Sequence, residues 1–123
     1  MSKIAIFPGS FDPITVGHVD IVNRALPLFD RIIIAIGVNT QKKYLYSLEQ
    51  RMYWLQETFG SEKKIEIASY EGLTINFCKE KNADYILRGI RSAADFEYEK
   101  TIAHLNNAMY ETIETILILS KPE

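Results

Sequence analysis

The run Ile32-Ile33-Ile34-Ala35-Ile36 is apolar at odd and even positions alike, so a strand built from it must be covered on both faces. A strand with one wet face would alternate polar and apolar residues, as Lys64-Ile65-Glu66-Ile67 does, and that segment suits a sheet edge. Ile4 to Phe7, Tyr85-Ile86-Leu87 and Ile116-Leu117-Ile118-Leu119 read like the first run. Between these strands lie helical spacings: Val19, Val22, Leu26, Phe29; then Leu48, Met52, Leu55, Phe59; then Leu73, Phe77, Cys78; then Tyr98, Ile102, Leu105, Met109. Such alternation predicts an α/β fold: a doubly wound, Rossmann-like parallel five-stranded sheet with helices on both faces. Ligands of that architecture sit at the carboxyl ends of the strands, near a switch in strand order.

With 123 residues, 47% of them apolar, the chain suits one domain with its own core, and no Gly-, Ser- or Pro-rich linker divides it. A net charge of -2 argues against a general nucleic-acid binder or anionic-membrane binder, since those carry basic surfaces. Cys78, the single cysteine, excludes an internal disulfide and a cysteine-based zinc site, and beside Phe77 it reads as a small core residue. Four apolar residues between Lys3 and Pro8 are too few for a signal-peptide core, and no run reaches membrane-spanning length. The expected localisation is cytoplasmic.

The first strand-to-helix turn is Phe7-Pro8-Gly9-Ser10-Phe11-Asp12-Pro13-Ile14-Thr15-Val16-Gly17-His18. Gly9 and Gly17 lack a Cβ, so a ligand can approach their N–H groups closely. Pro8, Pro13 and the Asp12-Pro13 turn signal stiffen the loop. Thr15 suits an N-cap, which puts Gly17 and His18 in the first helical turn, where unpaired N–H groups and the helix dipole favour an anion. A histidine there has two readings, a local hydrogen-bonding residue or a phosphate contact.

Other strand ends carry cations or small residues. Asn39-Thr40-Gln41-Lys42-Lys43 follows the second strand, and Arg88-Gly89-Ile90-Arg91 follows the fourth. Each has an ordinary reading: a solvated lysine pair, a surface ion pair, a glycine serving a turn. Their joint placement at one crevice of an acidic protein favours a pocket for a polyphosphate or for two phosphorylated ligands.

Gly-Ser-Phe-Asp-Pro followed by Thr-x-Gly-His resembles the (H/T)xGH signature of the nucleotidyltransferase superfamily. The run Arg88-Gly89-Ile90-Arg91-Ser92-Ala93-Ala94-Asp95-Phe96-Glu97-Tyr98-Glu99 narrows the resemblance, which extends over essentially the whole chain, to the bacterial phosphopantetheine adenylyltransferase family. The resemblance implies transfer of AMP from ATP to 4′-phosphopantetheine, giving dephospho-coenzyme A and pyrophosphate, with Mg²⁺ as cofactor and a homohexameric assembly. By position, it implies that Ser10 contacts both substrates and that His18 stabilises the transition state against the ATP phosphates. Lys42, Thr74 and Arg88 match phosphopantetheine-binding positions, with Lys42 and Arg88 near its phosphate. Phe11, Gly89, Ile90, Arg91 and Glu99 match positions lining the ATP site. His18, Lys42 and Arg91 then form the catalytic set. Thr74 falls where the family varies, and Phe7 stands where tyrosine is common.

The implied reaction needs no general base, because a phosphate is already a nucleophile at neutral pH; placement and charge neutralisation do the work. Mg²⁺ would be held by substrate phosphates and water, which fits a chain without an obvious carboxylate cage. The family continues beyond this chain's Lys121-Pro122-Glu123 with a serine-rich loop and a helix, so the expectation is a nucleotidyltransferase domain over 1–123 lacking that part. Two further functions stay open: adenylation of nicotinamide mononucleotide or cytidylation of glycerol phosphate by another member of the superfamily, and a silent nucleotide-binding subunit. Tyr53, Trp54, His104 and surplus apolar residues between Ala93 and Met109 point either to subunit contacts or to packing under loops.

Overall fold

The computed structural model describes residues 2–121; the expectation about the chain's end falls on Pro122 and Glu123, outside the described residues. The elements run β1 (Ile4–Gly9), α1 (Val16–Ala25), a short 3-10 turn (Leu26–Leu28), β2 (Arg31–Gly37), α2 (Leu48–Phe59), β3 (Ile65–Tyr70), α3 (Thr74–Glu80), β4 (Tyr85–Ile90), α4 (Ala93–Met109) and β5 (Glu114–Leu119). All five strands are parallel, in the order β3-β2-β1-β4-β5. Ile6 of β1 stands between Ile33 of β2 and Ile86 of β4. The chain winds outward from β1 through β2 to β3, then returns to the other side of β1 for β4 and β5. The switch in strand order therefore falls between β1 and β4, as the doubly wound expectation requires.

Two apolar layers sandwich the sheet. One joins Ala5, Phe7, Ile32, Ile34, Ile36 and Leu87 to Ile21, Val22 and Ala25 of α1 and to Leu55 and Phe59 of α2. The other joins Ile6, Ile33, Ala35 and Ile86 to Ile75, Phe77 and Cys78 of α3. Alternate residues of β2 thus go to opposite layers, which is why that strand tolerates no polar residue from Ile32 to Ile36. β3 is an edge strand, and its polar position Glu66 pairs with Arg31 at 3.4 Å and Lys81 at 3.3 Å. Burial pushes the Cys78 thiol up to about 12, so it is a packing residue without thiolate character at neutral pH.

Two helical stripes differ from expectation. Leu73 is the residue before α3 and is exposed, while Ile75 takes the core position; the helix starts one residue later than the spacing suggests. On α4, Tyr98, Leu105 and Met109 face outward and Glu99 alone is buried. The inner side of that helix carries an ion pair between Glu99 and Arg88 of β4, so its one buried position is polar. Leu55, fully buried between α2 and the sheet, anchors the helix that follows the lysine loop. Leu55→Ala should lower stability by about 2–5 kcal/mol, through lost burial and the cavity left behind. Urea unfolding with an unchanged m-value checks this, and a loss under about 0.5 kcal/mol, the range typical of surface substitutions, would refute the packing assigned to α2.

Candidate active site

The loop between β1 and α1 leaves the sheet beside the switch point and turns sharply at Phe11, whose φ of 47° is uncommon for a residue with a side chain. Packing holds it there: the Phe11 ring is buried, meets Phe7 edge-on at 5.4 Å between centroids and lies 4.8 Å from His18. Gly9 is required by that ring, since a Cβ at Gly9 would lie 3.0 Å from Phe11 Cε2. Gly17 is different. A Cβ there would meet only Thr15 Oγ1 at 3.6 Å, so the glycine leaves open space over the α1 N-terminus.

Thr15 is the N-cap of α1. Its Oγ1 accepts from the His18 N–H at 3.3 Å, and its own N–H donates to His18 Nδ1 at 3.0 Å. An Nδ1 that accepts carries no proton, so the imidazole is neutral with its hydrogen on Nε2. Burial first, and the Arg88 charge second, hold the His18 pKa below its ordinary 6.5, which keeps that tautomer at neutral pH. The result is an oriented N–H donor at the positive end of a helix, suited to a phosphate oxygen.

Arg88 lies within β4, not after it, and is held on two sides. Its Nη1 donates to the Pro8 carbonyl at 2.6 Å, and its Nε and Nη2 donate to the Glu99 carboxylate at 3.1 and 3.0 Å. Three of the five guanidinium N–H groups are thereby used, leaving one on each Nη for an anion. Glu99, assigned to the nucleotide site by resemblance, is buried with its carboxylate committed to Arg88. Gly89 is a strand residue against which Ile21 of α1 packs; a Cβ there would lie 3.2 Å from Ile21 Cγ1. Ile90 ends β4. Arg91 is 82% exposed at its side chain and pairs with Asp95 at 3.5 Å, so no contact joins it to His18 or Lys42.

Lys42 reaches across from the loop after β2, its Nζ donating to Ser10 Oγ at 3.2 Å. Gly9, Ser10, Gly37, Val38, Asn39, Lys42, Tyr44, Tyr70 and Gly72 line a cleft of about 270 Å³ at the carboxyl ends of β1, β2 and β3. Thr74 opens α3 and its hydroxyl is 2.7 Å from the Tyr70 hydroxyl, with Tyr70 stacked on Phe77 at 4.7 Å. Through Tyr70, Thr74 borders the cleft without lining it.

Three residues of this region escape sequence reasoning. The Asp12 carboxylate accepts from the N–H groups of Leu45 and Tyr46 at 2.7 and 2.9 Å, tying the two loops together. Arg51 of α2 is buried and donates to the carbonyls of Ser10, Tyr46 and Ser47. The signal for it was present, because Arg51 interrupts the apolar stripe Leu48, Met52, Leu55. Tyr70 carried no signal beyond its place at a strand end.

A parallel sheet whose switch point holds a capped helix N-terminus, an oriented histidine and anchored cations defines a nucleotidyltransferase, and the cytidylyltransferase-like family matches residues 6–122. The phosphopantetheine adenylyltransferase of Flavobacterium psychrophilum is 60% identical over 94% of this chain and 76% of its own length. That of Carboxydothermus hydrogenoformans is 50% identical over 98% of this chain and 75% of its own. The chain belongs to the phosphopantetheine adenylyltransferase family. In fold it is similar to a bifunctional NMN adenylyltransferase/ADP ribose pyrophosphatase from Francisella tularensis, with a TM-score of 0.73 at 19% identity over 100% of this chain and 39% of that one. It is likewise similar to a lipopolysaccharide core biosynthesis protein from Thermoplasma volcanium, with a TM-score of 0.71 at 17% identity over 99% of this chain and 100% of that one.

Burial of His18, with the Arg88 charge nearby, makes stability depend on pH. Because the folded-state pKa is lowered, the unfolded chain binds the proton first, so stability is complete above pH 6.5 and falls as pH drops through the folded value. Imidazole ¹⁵N shifts should show the Nε2–H tautomer titrating below 6.5. A histidine 18 resonance that titrates above that value would contradict the geometry.

Proposed function

We propose that this chain transfers AMP from ATP to 4′-phosphopantetheine, releasing pyrophosphate and forming dephospho-coenzyme A. The observation that carries the reading is His18, fixed through Nδ1 at the α1 N-terminus so that Nε2 carries the proton, within the field of Arg88. This arrangement is made for phosphate oxygens, and the family supplies the substrates.

An oxygen of the acceptor's phosphate attacks the α-phosphorus of ATP. The bond from that phosphorus to the bridging oxygen breaks, and the electron pair leaves with pyrophosphate. Neither partner must lose a proton to protein, so the residues act by placement and by electrostatics. Ser10 and Lys42 hold the acceptor phosphate in the cleft, with the two free Arg88 N–H groups on its other side. His18 Nε2–H and the first N–H groups of α1 receive the nucleotide phosphates and gain strength as charge moves onto pyrophosphate. Arg91, exposed at the end of β4, is free to swing onto the leaving phosphates. Phe11, Gly89 and Ile90 shape the nucleotide side, while Glu99 serves it by orienting Arg88. Thr74 contributes through Tyr70 to the acceptor side.

Mg²⁺ belongs to this scheme as part of the nucleotide. Among the described residues no group of three or more His, Cys, Asp or Glu is placed to hold a metal, and the nearby carboxylates Asp12 and Glu99 are already engaged. Carried on the nucleotide, Mg²⁺ would neutralise charge on the phosphates that His18 and Lys42 also face.

Among the described residues no helix is long and apolar enough to cross a membrane, and we place the reaction in the cytoplasm. A homohexamer is the proposed assembly, supported by the outward apolar residues Tyr98, Leu105 and Met109 of α4 and Leu119 of β5. Light scattering on the purified chain reads the subunit number, and a monomer would remove the assembly from the proposal.

Pyrophosphate release should require both ATP and phosphopantetheine, and His18→Ala should lower kcat at least about a hundredfold, roughly 2.7 kcal/mol of transition-state stabilisation. An unchanged kcat would take His18 out of the mechanism. Arg88→Ala should raise the KM for phosphopantetheine more than that for ATP. The reverse result would mean that the two pockets are interchanged.

A further inference from the structure

Arg51 is 4% exposed, yet among the described residues no carboxylate stands within ion-pair distance of it. Removing a guanidinium from water is unfavourable unless its donors are satisfied and its charge is balanced nearby. Its hydrogen bonds go to carbonyls alone: Nη1 donates to Ser10 at 3.0 Å, and Nε to Tyr46 at 3.1 Å and to Ser47 at 3.3 Å. The guanidinium also lies 4.1 Å from the centre of the Tyr44 ring. Among the described residues the charge has no ion-pair partner of opposite sign.

The neighbours of Arg51 are also the neighbours of Lys42. Ser10, gripped through its carbonyl by Arg51, accepts from Lys42 Nζ through its hydroxyl. Tyr44, on which Arg51 lies, is the ring 5.5 Å from the same ammonium. Asp12 closes the loop that joins them by accepting from Leu45 and Tyr46. We propose that Arg51 is a positioning residue for the acceptor side: it presets the Ser10 and Lys42 pair, and its unbalanced positive charge lies directly behind the cleft that receives the acceptor's phosphate dianion. This rests on the reading of Ser10 and Lys42 as the acceptor-phosphate site. A guanidinium suits the place because its planar fork reaches carbonyls of two loops from separate, rigidly spaced nitrogens, whereas an ammonium offers one nitrogen. The nucleotide side depends on it less, touching it only through Ser10, since His18, the α1 cap and Arg88 are held by Thr15, Pro8 and Glu99.

Steady-state kinetics with ATP and 4′-phosphopantetheine on the intact chain test this, using Arg51→Met, Arg51→Lys and Lys42→Ala. Arg51→Met should raise the acceptor KM at least about tenfold, while the ATP KM stays within about twofold, a split that a general loss of structure would not produce. Arg51→Lys, which keeps the charge but not the fork, should fall between Met and the parent. An acceptor KM within about twofold of the parent, or equal rises for both substrates, would overturn the proposal. If Arg51→Met does not accumulate as folded protein, Arg51→Lys and Asp12→Asn carry the same test, each expected to raise the acceptor KM selectively. Lys42→Ala separates the two levels of inference. If it leaves the acceptor KM unchanged, the site assignment fails and the Arg51 role with it; if it raises that KM and Arg51→Met does not, the Arg51 role alone fails.

Discussion

Burial of β1 and β2 on both faces is the constraint on which the molecule is built. Ala5 and Ile6 are inaccessible and Phe7 nearly so, and Ile32 to Ile36 show no more than 1% exposure. Each such large side chain contributes about 1.5–3 kcal/mol when removed from water, so leaving either face bare would be prohibitive. Helices must cover both faces, and right-handed crossovers achieve that only by winding in opposite directions from β1. The same requirement brings the carboxyl ends of all five strands to one edge and opens the crevice between β1 and β4. The site is thus a consequence of how the core is closed.

Within that crevice, stiffness comes from apolar contacts and charge from side chains that the backbone restrains. Phe7 and Phe11 support the first loop and the face of His18, and they hold Phe11 in a backbone conformation it would otherwise avoid. Carbonyl oxygens of Pro8 and Ser10, two residues apart, hold Arg88 and Arg51 from opposite sides of the loop. Of these two, Arg88 has a carboxylate partner and Arg51, among the described residues, has none, so part of the cationic charge is left for ligands. A protein with net charge -2 can therefore present a locally positive pocket.

Much of this was legible in the residues. The unbroken apolar runs marked β1, β2 and β4 as buried strands, and Thr15 with Gly17 and His18 marked a helix start suited to an anion; the same reading fails for β5, which lies at the sheet edge with no buried residue and with Leu119 exposed, because only one strand pairs with it. Ser10 and Lys42, drawn from different loops by resemblance, do meet. The apolar residues of α4 exceed what one stripe uses, and Tyr98, Leu105 and Met109 face outward, while the buried place goes to Glu99, whose partner Arg88 lies on a strand that no helical spacing could name. Asp12 read as a turn former, and its second use as an acceptor for the lysine loop depends on residues some 33 positions away.

Local pattern alone settled the class of fold, the strand and helix order and the cap at the start of α1, because each depends on neighbours within a few residues. Tertiary structure decided which cations are free and which are engaged, which tautomer His18 holds, and which side of α4 faces water. Those outcomes depend on atoms brought within hydrogen-bonding distance across tens of residues. No periodicity encodes them, because a hydrogen bond or ion pair forms only when the packed core has fixed both partners in space.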